Sequence, residues 1–73
     1  MVDVTINGGQ VQFVSSVLGN VTGAFEGVEM VDDGQLHLTA SSVTHLLNVA
    51  QFTFNGQAFG NALDAVAYIE ANV

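Results

Sequence analysis

Hydrophobic and polar residues alternate from the first residues of the chain. Val2, Val4 and Ile6 are separated by Asp3 and Thr5, the period of a strand that buries one face. Asn7-Gly8-Gly9 follows, made of residues that tolerate φ > 0, and predicts a tight reversal into a second strand over Gln10 to Leu18. That segment also fits helical spacing through Val11, Val14, Leu18 and Val21, but its β-branched content and the turn before it favour strand. Gly19-Asn20 interrupts the pattern, and the stretch from Val21 to Val31 is punctuated by Gly23 and Gly27, which suggest bulges or a loosely extended course. Val28 and Met30 flank Glu29, and Leu36 and Leu38 alternate with Gln35 and His37. Asp32-Asp33-Gly34 between them predicts a hairpin whose three-residue loop places Gly34 in the left-handed region.

Beyond this point the period changes. Ser41 or Ser42 is a suitable N-cap, and Val43, Leu46, Leu47 and Ala50 recur at helical spacing opposite Thr44, His45, Asn48 and Gln51, which predicts a short amphipathic helix. Asn55-Gly56 between Phe52-Thr53-Phe54 and Gln57-Ala58-Phe59 is the strongest hairpin signal in the chain. Asn61 then caps a final helix with Asp64 at its third position, where a carboxylate favours the helix dipole. Leu63, Val66, Ile69 and Val73 form its apolar face, with Asp64, Tyr68 and Asn72 opposite. The expected fold is α+β: a small antiparallel sheet of hairpins, one short helix, and a C-terminal amphipathic helix packed on the sheet. Its 73 residues leave room for one small domain, residues 1–73.

Composition changes what this fold is expected to do. The chain has no Lys and no Arg, where roughly eight are usual at this length, and its seven Asp and Glu give a formal charge of −7. Without cations it has nothing to neutralise phosphates, so nucleic acid, anionic membranes and phosphorylated substrates are excluded as direct partners. Asp3, Glu26, Glu29, Asp32, Asp33, Asp64 and Glu70 have no basic side chain to pair with, and a basic protein surface is the complementary partner. Charged residues make up 10% of the chain against an ordinary 49% hydrophobic content, so the surface must be largely neutral polar and apolar. A domain this small buries only about 60% of its extended-chain surface. With no Cys to form disulfides, assembly with protein partners is the expected source of further burial. The first residues lack the basic end and apolar run of a signal peptide, and no apolar run reaches membrane-spanning length, so a soluble chain made without secretory targeting is expected.

Candidate chemistry is sparse. His37 and His45 are half of a zinc site if Asp32, Asp33 or Glu29 completes it, but both sit on the polar phase of their expected elements, where solvent exposure accounts for them. Asp32-Asp33-Gly34 with Glu29 has the oxygen donors of a calcium loop without the spaced ligands or terminal Glu of an EF-hand, and reads as an acidic turn. Asn7-Gly8-Gly9 lacks the Lys and glycine spacing of a phosphate loop, and Ser, His and Asp occur without a nucleophile-elbow pattern. No catalytic residue, metal ligand or cofactor is assigned, and the chain is expected not to be an enzyme. Phe52 and Phe54 share one face of a strand and, with an exposed Tyr68 on the last helix, are the expected interface residues.

A short, acidic, Gly/Val/Asn-rich chain without Lys or Arg resembles the auxiliary virion proteins of tailed bacteriophages: capsid decoration or cement proteins and head-fibre bases. The resemblance is one of class and carries no functional residues with it. It implies a structural role on the capsid exterior, in many copies, stabilising a lattice by protein–protein contacts. The alternative from a different class is a small acidic adaptor or inhibitor that mimics nucleic-acid charge and blocks a basic protein surface.

Overall fold

The computed structural model describes residues 1–15 and 19–73. Its elements in chain order are strands β1 (Val2–Asn7), β2 (Gln10–Ser15), β3 (Gly19–Asp32), β4 (Gln35–Ala40) and β5 (Val43–Asn48), a single 3-10 turn (Val49–Gln51), strands β6 (Phe52–Phe54) and β7 (Gln57–Ala58), and helix α1 (Ala62–Asn72). The strands form one sheet in the order β5-β4-β3-β2-β1-β6-β7. The α+β expectation holds, but the sheet is mixed: β6 runs parallel to β1, pairing Val2 with Phe52 and Val4 with Phe54, while the other neighbours are antiparallel.

Three reversals are two-residue turns with positive φ at both positions, the geometry whose twist matches a hairpin. Gly8-Gly9 (59° and 78°) joins β1 to β2, Ser41-Ser42 (50° and 67°) joins β4 to β5, and Asn55-Gly56 (53° and 79°) joins β6 to β7. The hairpin between β3 and β4 differs from expectation. Asp32 pairs with Gln35, so its loop is Asp33-Gly34, and Gly34 lies outside the left-handed region. A register shift between Met30 and Asp32 takes up the residue that the three-residue loop would have held.

The interruption expected at Gly19-Asn20 falls where the chain, having reversed from β2, starts β3: Gly19 has a φ of 72° and is the first residue of a fourteen-residue strand that continues through Gly23 and Gly27. Residues 19–24 pair with β2 and residues 25–32 with β4, and the change of partner falls at a bulge between Phe25 and Gly27, with Glu26 as the extra residue. The sheet therefore curls, bringing the His45 ring of β5 to 4.6 Å from that of Phe13 on β2. Residues 16–18 of the expected second strand lie outside the described residues.

The short helix expected over 43–51 is a strand followed by one 3-10 turn. Its helical spacing was real, but so was a strand alternative: a nine-residue helix is marginal alone, whereas an extended segment satisfies the free edge of β4. Ala40 pairs with Val43, Leu38 with His45 and Leu36 with Leu47. The serines read as helix caps form the turn instead.

The concave face of the sheet carries Val4 and Ile6, Val11 and Phe13, Leu36 and Leu38, Leu47, and Phe52 and Phe54, all buried. Helix α1 closes the core with Ala62, Ala65 and Ile69. The helix starts where expected: Asn61 Oδ1 accepts the Asp64 amide (2.8 Å), and Asn61 Nδ2 donates to Asp64 Oδ2 (3.1 Å). The Ala62 amide also donates to the Asp33 carbonyl, tying the helix to the β3–β4 turn. Its buried face, however, is rotated from the expected one. Leu63 is 65% exposed and Val73 is exposed, while two alanines face the sheet, where their small side chains permit close approach.

Candidate interaction surfaces

Among the described residues every buried side chain is apolar. Many of the polar side chains lie on the convex face and at the turns. Across β3, β4 and β5, paired residues share a face, which gives the rows Gly27–Thr39–Thr44 and Glu29–His37–Leu46. These rows border a shallow open depression of about 590 Å³ lined by Gly27, Val28, Glu29, His37, Thr39 and Thr44. Within it the Thr39 and Thr44 hydroxyls are 3.0 Å apart, and His37 Nδ1 lies 3.7 Å from Glu29 Oε1. That pair is solvated, an arrangement worth at most about 1 kcal/mol even with His37 protonated.

The two histidines do not meet. His37 pairs with Leu46 on the convex side, whereas His45 pairs with Leu38 and lies half-buried against Phe13 on the concave side, not on a solvent-facing phase. A zinc site combining them is ruled out by the register. Among the described residues no group of three or more His, Asp or Glu converges on a point. Asp32 Oδ1 accepts the Asp33 amide at 2.7 Å, the local hydrogen bond of an acidic turn.

The expected interface aromatics are placed otherwise. Phe52 and Phe54 do share a strand face, but it is the concave one, and both are buried in the core, so they are not surface anchors of the folded chain. Tyr68 is half-buried: its ring packs 5.1 Å from Phe59, which in turn lies 5.8 Å from Phe54. This aromatic run explains why a residue expected to point into solvent is engaged within the chain.

Polar residues that sequence reasoning passed over hold the loops in place. Asp3 Oδ1 accepts from Thr53 Oγ1 (2.6 Å) and from the Gly56 amide (3.0 Å), fastening the β6–β7 turn to β1. Asn55 extends the β1–β6 ladder with its side chain, accepting the Ile6 amide at 2.7 Å and donating to the Ile6 carbonyl at 3.1 Å. The β4–β5 turn folds back on β3: Ser41 exchanges hydrogen bonds with Ala24, and Ser42 donates its amide to Glu26 Oε1 at 2.8 Å. Alternation before Ser41 is not continued after Ser42, where Val43-Thr44-His45-Leu46-Leu47-Asn48 has no period of two, so no local signal pointed to this turn.

The exposed surface has two other features. Glu26, Glu29, Asp32 and Asp33, four of the seven acids, lie on β3 and the turn after it, all exposed. Large apolar side chains are exposed as well, among them Val14, Met30, Val31, Val43, Leu46 and Leu63. No helix among the described residues is long and apolar enough to cross a membrane. No protein-family model, curated protein or solved structure matches the chain.

Proposed function

We propose that this protein is a non-enzymatic structural subunit that acts through protein–protein contacts, as a decoration, cement or head-fibre component on the exterior of a virion. The observation that carries this reading is the surface: a chain without Lys or Arg whose exposed residues, six acids apart, are neutral polar or apolar, with Val43 and Leu46 more than half exposed. Such a surface suits close packing against other protein, with affinity from apolar and neutral hydrogen-bonding contacts. A virion role adds the placement, since a charge of −7 is compatible with the outside of a capsid and not with packaged nucleic acid.

Molar mass by light scattering on a sizing column, at micromolar concentration in low and high salt, tests the reading. A defined oligomer at both salts supports it. A folded monomer at both salts argues against self-assembly and sends the search to a foreign partner.

A second reading is favoured by the row of acids on β3 and its turn. Glu26, Glu29, Asp32 and Asp33 form a negative strip suited to occupying a basic protein surface in place of nucleic acid. Salt separates the two, because binding through that strip weakens steeply as screening grows, whereas an apolar contact does not.

A further inference from the structure

The sheet ends in two unequal strands. On one side the terminal strand is β7, two residues long; on the other it is β5, six residues of sequence Val-Thr-His-Leu-Leu-Asn. The outward edge of a terminal strand presents unpaired amides and carbonyls, and folded proteins ordinarily protect it with charged side chains, Pro, a bulge or a covering loop. β5 has none of the first three: it pairs with β4 in unbroken register and contains no Asp, Glu, Lys, Arg or Pro. It also carries two of the most exposed apolar side chains, Val43 at 55% and Leu46 at 58%.

We infer that β5 pairs with β5 of a second copy of this chain, antiparallel about a two-fold axis, joining two sheets edge to edge. This deepens the assembly reading and rests on it. The chemistry of the occupant follows from the edge, since only an extended backbone satisfies a row of free amides and carbonyls. A second copy follows from three observations. The other terminal strand is too short to receive a six-residue partner, so head-to-tail growth of the sheet is closed off and β5 is left to meet β5, the isologous arrangement of a closed dimer. A foreign basic partner would be steered to the acids on β3 and its turn, whereas β5 itself holds no carboxylate. Finally, the strand is its own complement. A two-fold through Leu46 sets Leu46 beside its copy, Thr44 beside Asn48 and His45 beside Leu47. The convex row Glu29–His37–Leu46 then continues into the partner with the two leucines at its centre and the acids at its ends.

One strand pair and two leucines bury less than the roughly 1,200–2,000 Å² of a standard stable interface. The dimer therefore dissociates on dilution, as suits a subunit whose copies are held at high local density in a lattice.

The test uses the whole chain. Sedimentation over a hundredfold concentration range is expected to show the mass rising from one 7.6-kDa chain to two. Leu46→Lys, at an exposed position, is expected to keep the wild-type circular dichroism and remain monomeric throughout. Because the chain has no Cys, Leu46→Cys is a unique reporter: directly opposed strand residues lie about 4.5–5.5 Å apart at Cβ, within relaxation of disulfide geometry. Mild oxidation is expected to yield a covalent dimer at least tenfold faster than for Leu63→Cys, an exposed site on α1. A wild type that associates while Leu46→Lys associates equally and Leu46→Cys cross-links no faster than Leu63→Cys would overturn the β5 pairing and leave assembly standing. A wild type that stays monomeric over the whole range overturns both.

Discussion

Gly23 and Ser41 are in contact, and a double-mutant cycle between them measures how the β4–β5 turn is held. A Cβ at Gly23 would lie 2.5 Å from Ser41 Oγ and 3.1 Å from Ser41 Cβ, closer than packed atoms approach. The serine has little room to yield. Its φ is 50°, its amide donates to the Ala24 carbonyl at 2.9 Å, and its hydroxyl accepts the Ala24 amide at 3.1 Å. Gly23→Ala therefore either forces the turn away from β3 or rotates the hydroxyl off its donor. Overpacking costs about 1–3 kcal/mol and a lost hydrogen bond about 0.5–1.5 kcal/mol, so a loss of roughly 1–3 kcal/mol is expected whichever way the clash is relieved. Ser41→Gly alone gives up the Ala24 bond but relieves a left-handed residue of about 1–2 kcal/mol of strain, and is expected to be close to neutral. In the Ser41→Gly background the added methyl meets neither hydroxyl nor Cβ, so Gly23→Ala is expected to lose most of its effect there. The coupling is on the order of 2 kcal/mol, of opposite sign to the single-mutant loss. Urea denaturation followed by far-ultraviolet circular dichroism measures all four corners. Additive effects, or a Gly23→Ala variant as stable as wild type, would refute the packing of this turn on β3.

Asp3→Ala removes the acceptor shared by Thr53 and the Gly56 amide and is expected to cost roughly 2 kcal/mol, with Asp3→Asn costing less because one oxygen remains; urea midpoints rank the pair. Asn55→Gly keeps a residue that tolerates φ of 53° but strips both side-chain bonds to Ile6, so a loss of about 1–3 kcal/mol is expected, and no loss would mean the side chain does not extend the β1 ladder. Ile69→Ala opens a cavity where α1 meets the core and is expected to cost about 2–5 kcal/mol, whereas Leu63→Ala, on the exposed side, is expected to stay within about 0.5 kcal/mol. Equal melting temperatures for those two variants would place the wrong face of α1 against the sheet.

The turns and the last helix were legible in the sequence because their signals are local. Asn7-Gly8-Gly9 and Asn55-Gly56 have few low-energy alternatives to a tight reversal, and Asn61 accepts the Asp64 amide in the first turn of α1 whatever the helix packs against. The alternation of Val2 to Ile6 and of Gln35 to Leu38 likewise chose strand and chose its buried face. The absence of Lys and Arg, and the charge of −7 that goes with it, is likewise fixed by composition, independent of fold. Contacts distant in sequence decided the rest. Residues 43–48 suit helix and strand alike, and the open edge of β4 settled the matter, turning Ser41-Ser42 from a cap into a turn held by Gly23, Ala24 and Glu26. Helix α1 is apolar over much of its circumference, so its rotation depended on which side chains let it approach the sheet most closely, and two alanines prevailed over Leu63. The parallel placement of β6 beside β1 put Phe52 and Phe54 in the core, and the curl of β3 at Glu26 carried His45 inward to Phe13 and left His37 outside. Those placements are set by pairings between residues far apart in the chain, and a one-dimensional pattern records which face of a segment is apolar without recording what that face meets.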